Sequence, residues 1–221
     1  MLTEFLQSNF NKAIEMQLEI KHDPPIVKAI QKGAVTRETV KSWMRKYGLL
    51  RGISAQEQDK VADAFIDFSN HNRNFSERDI AEVFRRLHQK LKSASERSWL
   101  SATSKLMWCM QPDIIVIYDR FVFQSILVLQ CLDKELATYP RIGQPIAGRR
   151  DQDSVQTTAF YMNYQDMVKA IYRRNRQLIQ DLKNNQSSRY DYDLRLLDKI
   201  LWMMGNANET FTLGTVECER L

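Results

Sequence analysis

Two residues have types and a setting that could do chemistry, Lys105 and Asp119. They stand in the stretch Ser101-Ala-Thr-Ser-Lys105-Leu-Met-Trp-Cys-Met-Gln-Pro112-Asp-Ile-Ile-Val-Ile-Tyr-Asp119-Arg120. It reads as a helix, a proline turn, a short apolar connector and an aspartate at a helix start. A lysine amine in a desolvated setting is a nucleophile, because burial favours the neutral form. A carboxylate can balance a positive charge that develops beside it. Both residues also have structural uses. Asp119 is a good N-cap for the helix after it, and Lys105 could snorkel from that helix's edge or pair with Asp119.

A second group is basic. Arg141, Arg149 and Arg150 lie in a long irregular segment, and Lys169, Arg173, Arg174 and Arg176 on the helix after it. Brought together they would form an anion-binding surface, with Tyr139 and Tyr172 for stacking on bases. The competing reading is a solvated helix face, its field partly cancelled by Asp151, Asp153 and Asp166. Arg85, Arg86, Lys90 and Lys92 are expected to follow the polar face of their own helix.

Other signatures are missing. The sequence has no P-loop, no G-x-S-x-G and no H-E-x-x-H. His22, His71 and His88 are scattered without metal-ligand spacing and are expected at the surface or at helix ends. No histidine follows an arginine by four to six residues, the spacing of the small helical HEPN nucleases. No metal or cofactor is expected.

These groups must be positioned by helices. Leu2, Phe5, Leu6, Phe10, Ala13, Ile14 and Leu18 recur at three- and four-residue steps, one apolar stripe. Asp23-Pro24-Pro25 is expected to end that helix, with a short helix at Val27–Gln31. Thr36 caps the next, and Ser54 with Glu57 forms a capping box for another. Ser76 precedes a helix carrying Ile80, Val83, Phe84, Leu87 and Leu91. A helix is expected from about Glu96 to Met110, and a helix apolar nearly all round after Asp119, at the centre of the core. Asp133–Ser154 is the longest irregular segment. A long amphipathic helix comes next, then a last helix capped by Asp191 or Asp193. Trp99, Trp108 and Trp202 sit among core-facing residues.

The totals agree with this pattern. The 221 residues carry 32 Lys+Arg against 27 Asp+Glu, a net charge of +5 and pI near 9.1, compatible with an anionic partner. Only 7 glycines and 5 prolines argue against a β-sandwich, whose turns need many of both. The expected fold is all-α, one irregular bundle of about eight helices over residues 1–206 without significant sheet. Residues 207–221 would be a flexible or partner-docking tail. Cys109, Cys131 and Cys218 are widely spaced, and no disulfide framework or zinc pattern fits them. Cys109 and Cys131 read as small hydrophobes in apolar runs. The start, MLTEFLQSNF, lacks a signal peptide's basic and apolar regions. The apolar run Phe121–Leu132 is too short to cross a bilayer, so a cytoplasmic or nuclear location without membrane is expected.

The Lys105–Asp119 stretch resembles the catalytic segment of helix-hairpin-helix DNA glycosylases, especially the 8-oxoguanine branch. It looks closer to bacterial proteins with an 8-oxoguanine-glycosylase-like fold, which carry a Ser-Lys pair, a proline turn and an aspartate in similar order. Those proteins also carry a late Leu-Asp-Lys-x-Leu-Trp run, here Leu197-Asp198-Lys199-Ile200-Leu201-Trp202. The resemblance implies a DNA-repair hydrolase in which Lys105 attacks the sugar C1′ of an extruded nucleotide and Asp119 supplies the carboxylate. Two features depart from the family: Ser101-Ala102-Thr103-Ser104 replaces the hairpin glycines, and the lysine-to-aspartate spacing is several residues shorter. The alternative expectation is a non-catalytic helical interaction module, or a subunit of a larger bacterial complex, docking through its tail.

Overall fold

Side-chain caps set three of the described helix starts. Thr36 accepts a hydrogen bond from the Thr39 N–H at 3.2 Å and begins α3, Arg37–Lys46. Ser54 and Glu57 satisfy each other's backbone N–H groups, the expected capping box, at the head of α4, Ala55–Asn72. Asp119 caps α7, Arg120–Leu132. The remaining helices are α1 (Leu2–Glu19), α2 (Asp23–Gln31), α5 (Ile80–Ala94), α6 (Leu100–Met110), α8 (Ser154–Asn185) and α9 (Asp193–Gly205). This computed structural model describes residues 2–19, 23–140, 142–143, 154–185 and 192–206. The fold is all-α, with no strand among the described residues, as the periodicity predicts. None of the described helices is long and apolar enough to cross a membrane.

Three starts differ from expectation. Asp23-Pro24-Pro25 opens α2, because proline's fixed φ and missing N–H suit a helix's first turn. Ser76 and Asp79 form a capping box, but over a 3-10 turn, Glu77–Asp79, that leads into α5. Asp193 does not cap α9. Its carboxylate instead accepts Lys183 Nζ at 2.6 Å and the Tyr172 hydroxyl at 3.2 Å.

The chain divides into two compact units. One comprises Ile20–Ile117 and Gln144–Met162, the other Met1–Glu19, Tyr118–Gly143 and Asn163–Leu221. In the first, α5 packs on α4 and α6, and α2 on α3 and α6. Its core holds Trp43, Phe65, Phe84, Trp99 and Trp108. Asp23 ties α2 to α3 by accepting from Trp43 Nε1 at 2.9 Å and the Tyr47 hydroxyl at 2.7 Å. In the second unit α9 packs on α1 and α7. Gly205 is required there, since a Cβ would lie 1.9 Å from the Phe121 carbonyl oxygen. Ser125 Oγ donates to the Leu201 carbonyl at 2.6 Å in the same contact. Cys109 is free and buried. Cys131 is exposed near the end of α7 rather than enclosed with its apolar neighbours.

Candidate functional site

Lys105 stands in the middle of α6, where every residue from Ala102 to Met110 is buried. The lysine itself is 5% exposed. A helical side chain leans towards the N-terminus, and Lys105 Nζ reaches back one turn to donate to Ser101 Oγ at 2.7 Å. Ser101 is half-buried, the one residue after Leu100 in this helix that is not fully enclosed. The lysine stem therefore crosses the packed part of α6 and its amine ends where the helix opens. The Cys109 thiol donates to the Lys105 carbonyl at 3.3 Å, within the helix's own ladder. α6 starts without a side-chain cap, at Trp99.

Asp119 belongs to the other unit. Its Oδ1 accepts the Phe121 N–H at 3.0 Å, an ordinary cap bond. Around it the unit is unusually polar for an interior. Tyr164 is fully buried and stands edge-on to Tyr118, ring centroids 5.1 Å apart. Burial first, then the negative charges of Asp198 and Asp119, push the Tyr164 hydroxyl well above its ordinary range. Tyr118 is pushed up to about 12 by burial and by Asp119. Asp198 is buried and paired with buried Arg195 three residues earlier on α9. Removing water from two opposite charges is costly, so such a pair needs close contact. Asp198 belongs to the Leu-Asp-Lys run, but Arg195 and Tyr164 read in sequence only as helix residues. No spacing rule ties positions on two helices to one carboxylate.

The basic candidates separate. Arg141, Arg149 and Arg150 lie outside the described residues, as does the 207–221 tail. Lys169, Arg173 and Arg176 recur at three- and four-residue steps on α8 and so share a face. Arg173 and Arg176 are exposed and Lys169 is half-buried. Burial and the Asp193 carboxylate raise the Tyr172 hydroxyl above its ordinary range, and the nearby Arg176 charge opposes them. Arg174, a step round the helix, faces elsewhere: it holds Asp133 at 3.0 Å and Glu135 at 3.3 Å. Tyr139 is half-buried beyond the turn at Leu136–Thr138.

The histidines divide. His88 is fully buried, not at a surface or helix end. Its Nδ1 meets Ser154 Oγ at 3.1 Å, its ring stacks near Phe84, and burial pulls its pKa down to about 4. His71 is exposed, as expected; His22 lies outside the described residues. The chain matches no protein-family model, no curated protein and no solved structure.

Proposed function

We propose that the chain is a DNA-binding helical protein that excises or recognises a damaged or modified base, with Lys105 as the reacting amine. The observation that carries this reading is the near-complete burial of Lys105 within the stretch that resembles the glycosylases. A lysine with no catalytic use is normally left in water, and one drawn out of water becomes a better nucleophile. In the reaction, a bond from Nζ to the sugar C1′ forms as the bond from C1′ to the base breaks. The base leaves with that electron pair and takes up a proton. Loss of a proton from nitrogen and opening of the sugar ring at O4′, which is protonated in turn, give an imine. The resemblance gives the carboxylate's part to Asp119, and Asp119→Asn asks whether it has one. The exposed row of Arg173 and Arg176, with Lys169, supports an anionic partner, since row charges of one sign release counterions when they meet phosphates.

The test is fluorescence anisotropy with labelled double-stranded DNA, single-stranded DNA and RNA over a salt series. DNA binding that weakens linearly in log salt supports the reading. No binding to any of the three at low salt sinks it.

A second reading is favoured by the cap bond of Asp119 and the one-turn bond of Lys105, which give both residues structural work. On it the chain is a non-catalytic interaction module. Salt-insensitive association with a protein partner and no nucleic-acid affinity would decide for it.

A further inference from the structure

We propose that the end of the first unit where the α3–α4 and α5–α6 turns meet is a second phosphate-binding surface, which docks the backbone of duplex DNA through Arg45, Arg51, Lys60 and Arg97. This rests on the DNA-binding reading and adds to it a surface on the unit that holds Lys105, whereas the α8 row belongs to the other unit. Hydrogen bonds bring the two turns together. Arg97 Nη1 donates to the Arg51 carbonyl at 2.9 Å, and Ser95 Oγ donates to Glu57 Oε1 at 2.9 Å. The end of α3, the head of α4, the end of α5 and the head of α6 therefore share one end of the bundle. The surface there is open. At Gly52, with φ +77°, a side chain would meet nothing within 4 Å, and Arg45, Arg51 and Lys60 are exposed.

Internal charge pairing stops short of this end. Further along α3 and α5 the cations are engaged: Arg37 with Asp63, Lys41 with Asp59, Arg85 with Glu82 and Lys90 with Asp67. Arg45, Arg51, Lys60 and Arg97 make no ion pair among the described residues. Glu57 lies within the field of Lys60 and Arg97. Its carboxylate is already held below the ordinary range by hydrogen bonds from the Ser54 backbone and hydroxyl, then from Ser95. Glu96, exposed in the α5–α6 turn, offsets one of the four charges. Arg97 is the most firmly placed of the four. It is half-buried, its guanidinium lies 4.9 Å from the centroid of the Trp99 ring, and the Arg51 carbonyl orients it. That one bond leaves most of a guanidinium's five N–H donors for another acceptor. A fork held in this way suits the paired oxygens of a phosphate.

The chemistry of this end favours a duplex backbone over other anionic partners. Proteins hold single strands by stacking bases on open aromatic rings, and Trp99, beneath Arg97, is only 1% exposed. A membrane surface is held by basic residues together with apolar ones that enter it. The two large apolar residues that are exposed, Leu132 and Val155, lie in neither turn. Charge and hydrogen-bond donors remain, and these meet phosphates without reading the bases.

The experiment is fluorescence anisotropy of the full chain with a labelled DNA duplex over a salt series, with one strand of that duplex run alongside. When Arg51→Ala and Lys60→Ala are combined, the duplex Kd should rise about tenfold near physiological salt and the log–log salt slope should flatten by about 2, as two phosphate contacts are lost. Arg37→Ala, whose charge is engaged with Asp63, should stay within about twofold of wild type. Thermal melting of the double variant should match wild type, because neither side chain has an internal ion pair. Should it melt early, Arg51→Gln and Lys60→Gln taken singly carry the same comparison, with a slope change of about 1 each.

A wild type that binds the duplex, with affinity and slope unchanged in the double variant, overturns the inference and leaves the DNA-binding reading standing. A loss in Arg37→Ala as large as in the double variant overturns it too, since any positive charge would then serve. Tighter binding to the single strand, lost in the double variant, overturns the choice of a duplex. No binding by the wild type at low salt removes the inference and the DNA-binding reading together.

Discussion

α4 and α8 each carry a row of like charges, and the fold treats the two rows oppositely. On α4, Asp59, Asp63 and Asp67 recur every four residues. Each meets a cation from a neighbouring helix of the same unit. Lys41 reaches Asp59 at 2.6 Å, Arg37 clasps Asp63 through two nitrogens at 2.8 and 2.7 Å, and Lys90 reaches Asp67 at 2.6 Å. The hydrogen bonds from Lys41 and Lys90 hold Asp59 and Asp67 below the ordinary carboxylate range. On α8, Arg174 is neutralised in this way between Asp133 and Glu135, and Lys183 by Asp193. Arg173 makes no ion pair among the described residues and stands exposed. Basic residues in a sequence are thus not equivalent to basic surface. The charge left after internal pairing is the charge a partner can feel.

The largest effect expected of this contrast lies inside, where a titrating group has no counter-charge. His88 is neutral when buried, with a folded pKa of about 4 against an ordinary value of 6.5. Its stabilising contribution is present above pH 6.5 and is lost as pH falls towards 4, because the unfolded chain then binds the extra proton. Over that window urea unfolding should lose about 3 kcal/mol, since each tenfold change in proton affinity is worth about 1.4 kcal/mol. A His88→Asn variant should lack that part of the slope, and a slope unchanged by the substitution would remove His88 as its cause.

Next comes the open row. Replacing Arg173 and Arg176 together by Ala should weaken DNA binding at least tenfold near physiological salt and flatten the log–log salt slope by about 2. Equal slopes would show that phosphates do not meet this face. Arg174→Ala sharpens the comparison, since its charge is already used. Anisotropy should find its DNA affinity within about twofold of wild type. Smallest is the α4 row. Asp63→Ala breaks an exposed pair, and calorimetry should find the melting temperature moved by no more than about 2 °C, with DNA binding unchanged.

Much of the fold is legible in sequence because helix chemistry is local. Thr36, the Ser54–Glu57 box and the Asp119 cap act within three residues of themselves. The helix after Asp119 is apolar nearly all round; one side of it, with Val122, Phe123, Ile126 and Leu129, is buried, while Cys131 and Leu132 at its end are exposed. Where sequence misleads, the cause is shared: neighbours in the chain suggest one role and distant residues decide another. Asp193 looks like a cap, yet Lys183 and Tyr172 claim its carboxylate. His88 sits on the apolar face of α5, four residues after Phe84, and its enclosure comes from the start of α8. Prolines after an aspartate can stop a helix or start one, and the packing of the next turn settles which. For the candidate site, the types of Lys105 and Asp119 are legible. The bond of Lys105 to Ser101 spans one turn of α6 and is local, whereas the burial of Lys105 and the charges of Asp198 and Asp119 near Tyr164 are tertiary facts. The division of the basic residues on α8 into a paired Arg174 and an open face is another.

A reacting amine at Lys105 would be caught as a covalent adduct by borohydride trapping. Duplex DNA carrying an abasic site or 8-oxoguanine is incubated with protein and borohydride, and the modified peptide is identified by mass spectrometry. An adduct is expected on the peptide holding Lys105, lost in Lys105→Ala while that variant still binds DNA. An adduct that forms equally well in Lys105→Ala, or no adduct from a wild type that binds the DNA, would contradict it.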